Sequence, residues 1–409
     1  MLMFTALLDK LLTRKPSPDA FATLFEQALR AQGYREDLAY RPDEFRLVTQ
    51  HGRLINLHNA YHDYSTADRQ RRAEVLRSYA AAFVEEGDER RIETLEQVRP
   101  MLMPVVRHRS MLEEMRLEHV RKHGWQTPYT AAVRELGEGC VELLAIDRPD
   151  SLSTLVAGPK DAWGITFEQA LAIAHDNLRE ATPDRFVEVA AGIFRGAWQD
   201  SYDTSRVLLP DVLQRVPVKG RPLFMLPTRD CLLVVGDRDD AALAGMLELS
   251  LQAAENGRCI SAAVFAYDDA RQMVPFALTQ PEHRRLQADL QRMMDAPAYS
   301  LQKELLDKIH EANQVDLFVA SFRVLEANDG SGRQFSLATW TRDVETSLPK
   351  ADRIALVTLN DDRDADVVVA DWDRLVAVAG ELMEQEPDFH PPRFRVRGFP
   401  GKAQLQQLA

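Results

Sequence analysis

The stretch PLFMLPTRDCLLVVGD (residues 222–237) contains two apolar runs separated by Pro-Thr-Arg-Asp, a group rich in turn formers. This pattern predicts two buried strands joined as a β-hairpin, with Arg229 and Asp230 at or near its tip. The earlier stretch SYDTSRVLLPDV (residues 201–212) carries charged and hydroxyl groups between apolar residues, and its Pro210 suits the first turn of a helix. Together the two stretches predict a hairpin that packs beside a helix start.

These stretches also contain the candidate binding residues, which are Asp203, Ser205, Arg206, Asp211, Arg229 and Asp230. If the stretches are adjacent, Asp203, Arg206, Arg229 and Asp230 form a crossed network of carboxylates and guanidiniums. Structural pairing is the favoured interpretation, because an unpaired buried charge is costly. A site for an anion or a peptide terminus, with Arg206 and Arg229 as bidentate donors, is the functional alternative. Acid–base catalysis by the two carboxylates also stays open.

Composition limits the partners of the chain. The 409 residues carry a formal net charge of −13, which disfavours nucleic acid or anionic lipid as the principal partner. The three cysteines, Cys140, Cys231 and Cys259, are far apart and form no C-x-x-C pair, so neither a disulfide framework nor a thiolate zinc site is expected. The first residues are expected to form an amphipathic helix rather than a signal peptide, and no apolar segment is long enough to cross a bilayer. We therefore expect a cytoplasmic protein.

Periodicity predicts an α+β fold built from repeated helix–strands–helix units with small, mainly antiparallel sheets. Ser17 and Pro18 predict the start of a first helix, and a second helix is expected from about Ser65 to Phe83. Thr166 with Gln169 predicts a capping box. Asn328-Asp329-Gly330 predicts a hairpin turn later in the chain. The expected domains are residues 1–95, 96–290 and 291–409, either as divergent repeats or as separate uses of one arrangement.

Five fragments carry a resemblance to a known family. They are LMPVVRHRSM (102–111), GITFEQALAIAHDNLREA (164–181), SYDTSRVLLPDVL (201–213), PLFMLPTRDCLLVVGD (222–237) and AAVFAYDDARQMVPFAL (262–278). In order and spacing they resemble the YtpQ-like bacterial domain family of unknown function, over roughly residues 17–285. The resemblance implies an α+β protein of bacterial type, and it brings no reaction or ligand with it.

The remaining motifs give weaker functional signals. His119 and His123 have a spacing that suits a metal on one helical face, but no third ligand is evident, and a histidine before Gly124 also suits a helix end. His58 and His62 are expected at a loop edge. The acidic run at residues 361–366 lacks the glycine and glutamate of a calcium loop and is expected to be a solvated turn. Phosphate-binding, dinucleotide and nucleophile-elbow motifs are missing from the sequence, and Cys231 is expected in the core.

The functional expectation is a non-catalytic module that binds another protein, or a second copy of this chain, as adaptors and secretion chaperones do. The alternative is an enzyme or a sensor that binds a small anionic ligand at Asp203, Arg206, Arg229 and Asp230. No metal, cofactor, nucleic acid or membrane is expected as a partner.

Overall fold

The computed structural model describes residues 16–42, 45–49, 54–68, 71–86, 94–148, 151–255, 257–330, 332–359 and 365–409. The helices are α1 (Pro18–Ala31), α2 (His58–Thr66), α3 (Arg72–Glu86), α4 (Leu95–Val98), α5 (Ser110–His123), α6 (Phe167–Glu180), α7 (Pro210–Leu213), α8 (Asp240–Ala254), α9 (Pro281–Asn313), α10 (Trp372–Ala379) and α11 (Lys402–Leu408). Short 3₁₀ helices cover Arg99–Met101, Asp161–Trp163, Thr204–Leu208 and Gly380–Leu382.

The strands are β1 (Leu38–Arg41), β2 (Arg46–Thr49), β3 (Leu54–Asn56), β4 (Leu102–His108), β5 (Arg134–Gly137), β6 (Cys140–Arg148), β7 (Ser151–Thr154), β8 (Phe186–Ala190), β9 (Ile193–Gly196), β10 (Pro222–Thr228), β11 (Cys231–Gly236), β12 (Phe265–Tyr267), β13 (Met273–Pro275), β14 (Phe318–Val319), β15 (Arg323–Glu326), β16 (Gln334–Thr341), β17 (Thr346–Pro349), β18 (Arg353–Leu359), β19 (Ala365–Asp371), β20 (Met383–Gln385) and β21 (Arg393–Val396). Most strand pairs are antiparallel, and the pairs β14–β17 and β16–β18 are parallel. The fold is α+β with small, mainly antiparallel sheets, as predicted.

The chain divides into two compact units, each made of several chain segments. The first contains residues 1–103, 144–155 and 159–177, and the second contains residues 104–143, 156–158 and 178–409. The expected domain boundaries near residues 95 and 290 stay a prediction.

The first described element of the first unit is the predicted helix α1, and the amphipathic helix expected for the first residues lies outside the described ranges. The Ser17 side chain accepts a hydrogen bond from the Ala20 N–H at 3.3 Å, and Pro18 is the first helical residue. The buried face of this helix packs with the sheet β1-β2-β3 and with α2 and α3 in one apolar cluster, which includes Phe21, Phe25 and Tyr64. The helix expected from about Ser65 to Phe83 is wrong in extent, because Ala67 is extended and separates α2 from α3.

The first unit has a second apolar cluster around Trp163 and the buried face of α6. The predicted capping box is confirmed at the start of this helix. The Gln169 N–H donates to Thr166 Oγ1 at 3.2 Å, and the Thr166 N–H donates to Gln169 Oε1 at 2.9 Å.

The second unit contains three sheets whose strands all belong to it. Their strand orders are β13-β12-β10-β11-β9-β8, β14-β17-β21-β20 and β15-β16-β18-β19. The predicted hairpin of residues 222–237 is confirmed, since β10 and β11 pair antiparallel from Pro222–Gly236 to Thr228–Cys231. The predicted turn at Asn328-Asp329-Gly330 is also confirmed, since it joins the antiparallel strands β15 and β16.

A buried polar network surrounds Arg393 in the second unit. Arg393 itself is fully buried. Its guanidinium donates to Gln302 Oε1 at 2.6 Å and to the Ser347 carbonyl at 3.0 Å. Gln302 in turn donates to Glu113 Oε1 at 3.1 Å and to the Pro391 carbonyl at 3.0 Å. The network therefore ties α9 to α5 and to strand β21, and its donors meet acceptors that balance the cost of burial.

Candidate functional site

The β10–β11 hairpin positions Arg229 at its tip, and a second segment joins it there. Thr228 forms an isolated antiparallel bridge with Cys259, and the Arg229 N–H donates to the Arg258 carbonyl at 3.0 Å. This approach needs Gly257, because a Cβ at that position would lie 2.2 Å from Thr228 Cγ2. The bridge therefore places Arg258 directly beside Arg229 in the fold.

A 3₁₀ helix packs on the same tip. The Thr204 hydroxyl donates to the Arg229 carbonyl at 3.2 Å. Ser205, the next residue, is fully buried, and its hydroxyl has no hydrogen-bond partner among the described residues. A buried hydroxyl without a hydrogen-bond partner lowers the stability of the folded protein, so Ser205 is an unusual core residue.

Arg107 completes the group from the end of strand β4. Arg107 is only 5% exposed, and its Nη1 donates to the Val106 carbonyl at 2.8 Å. Among the described residues, no carboxylate lies within ion-pair distance of this guanidinium. Burial, and then the positive charges of Arg229 and Arg258, lower the pKa of Arg107 to about 9, although Tyr202 and Asp230 act in the opposite direction. Arg107 thus stays protonated near neutral pH.

We call Arg107, Arg229 and Arg258 the arginine cluster. Its members interact electrostatically in a chain whose formal net charge is −13. A guanidinium offers several N–H donors in a planar fork that matches carboxylate and phosphate oxygens. The arrangement is therefore suited to an anionic group, which would supply the negative charge that Arg107 lacks.

Arg206, a predicted site residue, has a different set of neighbours. Its side chain is fully buried and holds Asp200 in a bidentate pair, with N···O distances of 2.8 and 2.6 Å. It also donates to Thr182 Oγ1 and to the Ala181 carbonyl, each at 3.2 Å, and its guanidinium carbon lies 4.3 Å from the centroid of a Trp198 ring. The carboxylate partner of Arg206 is therefore Asp200, which the sequence did not single out, and the geometry favours a structural role.

The predicted aspartates separate as well. Asp203 accepts hydrogen bonds from the Trp198 and Gln199 N–H groups, each at 3.2 Å, and burial raises the pKa of its carboxyl. Asp211 pairs at the surface with Arg179 at 2.8 Å and with Arg215 at 3.0 Å.

Asp230 is exposed at the hairpin tip, and its charge acts on Arg107. Of the predicted set, Arg229 belongs to the arginine cluster, Asp230 acts on Arg107, and Ser205 follows Thr204, which bonds to Arg229. Their role in binding stays a prediction.

Sequence reasoning missed Arg107 and Arg258. Arg107 follows the apolar residues Leu102–Val106 in a buried strand, and a charged residue at the end of such a run is the signal that singled out the hairpin tip. Arg258 has no comparable signal, because only the bridge between Thr228 and Cys259 places it there.

Three other features were singled out in the sequence: the histidine pairs, Cys231 and the acidic run. His119 and His123 lie on helix α5 with ring centroids 4.7 Å apart. No group of three His, Cys, Asp or Glu side chains in the described part of the chain is arranged to hold a metal ion. Cys231 lies in the core, as predicted, and burial raises the pKa of its thiol to about 11. The expectation that His58 and His62 lie at a loop edge is wrong, because both residues belong to helix α2, which follows strand β3 directly. Asp361, Asp362 and Asp364 of the acidic run lie outside the described residues.

Comparison with known proteins identified no relative of this chain. Family models, curated proteins and solved structures all fail to match this chain. The YtpQ-like resemblance therefore stays a prediction. Within the described ranges, every helix is too short or too polar to cross a membrane.

Proposed function

We propose that this protein binds a small ligand through an anionic group, a phosphate or a carboxylate, at the arginine cluster. The observation that supports the proposal is Arg107, a buried guanidinium with no carboxylate in ion-pair distance among the described residues. Isolated buried charges are too costly to keep unless a partner compensates them. Arg229 and Arg258 add positive charge instead of removing it.

Binding without a covalent step suits this site better than catalysis. The nearby thiol of Cys231 is buried, and its raised pKa keeps it protonated at neutral pH, so it is a poor nucleophile. The Asp203 carboxylate accepts hydrogen bonds from two backbone N–H groups, which indicates a structural role rather than a catalytic one. All three cysteines are free thiols, which supports our further proposal that the protein works in the reducing cytoplasm.

Thermal unfolding in the presence of different anions tests the proposal. Phosphate, succinate and chloride are compared at constant ionic strength, so that general screening does not differ between samples. A ligand that binds the folded state raises the unfolding temperature. We expect a rise with phosphate or succinate in the wild-type protein and a much smaller one in Arg229→Ala.

Arg215→Ala is the matched control, because it removes a guanidinium that lies at the surface, 54% exposed, and pairs with Asp184 and Asp211. It should keep the full response. Equal responses of wild type and Arg229→Ala to every anion would contradict the proposal, and a response to one anion class alone would identify the group that is bound.

A second candidate function is binding of a partner protein at a groove of about 670 Å³ in the second unit. Trp125 lies in this groove and is 44% exposed. Arg116 lies over the rings of Trp125 and Phe389, with distances of 5.9 and 5.0 Å to their centroids, and Glu113 holds its guanidinium. Exposed aromatic side chains beside an arginine are typical of binding hot spots.

The groove also contains residues of strand β20, which pairs with β21 on one side. Among the described strands, β20 is at the end of its sheet. We propose that an extended segment of a partner, or of a second copy, pairs with this edge and places an apolar side chain against Trp125.

Native mass spectrometry of tagged protein from host lysate, or at rising protein concentration, should detect the complex. Trp125→Ala should abolish it. Phe318→Ala, an exposed aromatic on the opposite edge strand of the same sheet, should not. A complex that survives Trp125→Ala would show that this groove is not its interface.

A further inference from the structure

A second cavity of the second unit has about the same size as the groove, roughly 660 Å³, and is unrelated to the arginine cluster. It is lined by the middle of helix α9, by the sheet that contains β16 and β19, and by the segment His390–Pro392. His108 and Gly139 contribute a further wall.

Asp295 of helix α9 gives this cavity a carboxylate. One of its oxygens accepts a hydrogen bond from the Gln291 amide at 2.9 Å. No cationic side chain of the described residues lies within ion-pair distance of it, and Lys350 acts on it only from further away. Burial is the main reason why the pKa of Asp295 is raised, to about 6. The carboxylate thus has no ion-pair partner in the described part of the chain.

Arg292, the buried cationic residue nearest to Asp295 in the sequence, forms ion pairs with other carboxylates. Arg292 donates to Asp352 at 3.0 Å and to Asp289 at 2.5 Å. The same Asp352 oxygen also accepts from the N–H and the hydroxyl of Ser336, at 2.6 and 2.8 Å. These bonds engage both Nη atoms of Arg292, its Nε has no hydrogen-bond partner among the described residues, and no ion pair joins it to Asp295 there.

His108 and His390 also line the cavity, and both rings are neutral near pH 7. His108 Nδ1 lies 3.3 Å from the Ser110 N–H that donates to it and 2.7 Å from the Ser110 hydroxyl, so the neutral ring carries its proton on Nε2. The ring centroid of His390 is 5.1 Å away. A Cβ on Gly139 would lie 2.9 Å from His108 Nε2 and 3.0 Å from His390 Nε2, so only glycine leaves both nitrogens this close to the chain.

Burial lowers the pKa of both rings, to about 3 for His108 and about 4 for His390, with smaller contributions from His390 and from Arg109 respectively. Neither histidine therefore adds positive charge to the cavity near neutral pH.

Acids outnumber bases around the cavity. Its acidic residues are Glu138, Asp295, Asp352, Asp371 and Asp373, and its basic residues are Arg292 and Lys350. Aromatic side chains of Tyr299, Phe322 and Trp372 complete the wall. Aromatic rings and a carboxylate are the groups with which proteins hold ammonium ions.

We propose that this cavity binds a ligand with a cationic amine, with Asp295 as its counter-charge and the two histidines as neutral hydrogen-bonding partners. This binding is independent of the proposed anion site. A cation beside Asp295 compensates the charge of a partly buried carboxylate that has no ion-pair partner among the described residues. The site therefore discriminates by charge as well as by shape.

Choline and 3,3-dimethylbutan-1-ol test the proposal as a pair, because they share one shape and differ in the charge. Isothermal titration calorimetry of the full chain at about pH 7.5, well above the pKa of Asp295, should give choline an affinity at least about tenfold higher than that of the alcohol. n-Butylamine serves as a second cationic probe. If the wild-type protein binds neither cation, or binds the alcohol as tightly as choline, the proposal is wrong.

Asp295→Asn keeps the shape of the side chain and removes its charge. It should reduce the preference for choline over the alcohol to about twofold or less, since the carboxylate supplies the discrimination. Asp307→Asn makes the same change on the same helix, at a surface residue that pairs with Lys303, and should leave the preference intact.

Titration of the unmutated protein gives a test that needs no variant. Asp295 shares the cavity with Lys350, Asp352 and the other charged lining residues named above. Its pKa of about 6 lies within the pH range of the titration. Its protonation removes the counter-charge, so choline affinity should fall as the pH drops through about 6. An affinity that is constant from about pH 7.5 to about pH 5 would contradict the proposal.

Discussion

Arg107 and His108 are consecutive residues of strand β4, and their side chains belong to two different sites. Arg107 interacts with Arg229 and Arg258, whereas His108 lines the cavity that contains Asp295. Successive side chains of a strand point to opposite faces, so one strand end can serve both sites. The proposed anion site and the proposed amine site therefore share a piece of backbone and no side chain.

The structural role of Arg206 gives a stability prediction. Arg206→Ala should lower the free energy of unfolding by about 2 to 4 kcal/mol, because Asp200, Thr182 and the Ala181 carbonyl lose a buried donor at once. Urea unfolding measures this change. Arg215→Ala, which breaks only surface pairs, should cost less than about 1 kcal/mol. Equal costs for the two variants would contradict the structural assignment of Arg206.

The network around Arg393 predicts a second sensitive position. Gln302→Ala removes the acceptor of the Arg393 Nε–H and the donor to Glu113. Because both partners are buried, we expect a loss of about 2 to 4 kcal/mol in unfolding free energy. Gln287→Ala on the same helix, where a single bond to the Ala262 carbonyl is lost, should cost about 1 kcal/mol. The ranking of the two variants in urea decides this prediction.

The raised pKa of Asp295 predicts how stability changes with pH. In the unfolded chain the carboxyl has its ordinary pKa of 3.8, and in the folded protein it has a pKa of about 6. The unfolded state thus releases its proton first as the pH rises, and folding loses stability from about pH 4 to about pH 6.

Asp295→Asn removes this effect. The variant should be more stable than wild type above pH 6, by at most about 3 kcal/mol, and the difference should disappear near pH 4. Asp307→Asn again serves as control. A variant that is less stable than wild type at pH 7 would show that the carboxylate is compensated in the folded protein.

Local patterns predicted much of the fold. The apolar runs on both sides of residues 227–230 were sufficient for the β10–β11 hairpin, and the capping boxes and turns depend on residues three or four positions apart. The helix expected from about Ser65 was wrong in extent, because the apolar positions that predicted it begin at Val75 and do not report on the extended backbone at Ala67. Periodicity alone does not detect such a break.

The candidate site was only partly predictable. The hairpin placed Arg229 correctly, but Arg107 is 122 positions away and comes close through tertiary packing. The choice of Asp200 over Asp203 as the partner of Arg206 depends on the turn geometry before the 3₁₀ helix, which residue type does not reveal. The cavity around Asp295 collects side chains from distant segments, and the sequence contains no local signal for it.

Urea unfolding of wild type and Arg107→Leu, each with and without phosphate, tests the central claim most directly. Urea is uncharged and does not compete for the anion, and Arg107→Leu replaces the buried charge with an apolar side chain. Without phosphate, the variant should be more stable than wild type by about 1 to 3 kcal/mol, and phosphate should stabilise only the wild type. A variant that is less stable than wild type without phosphate, together with equal responses of both proteins to phosphate, would contradict the claim that Arg107 waits for an anionic ligand.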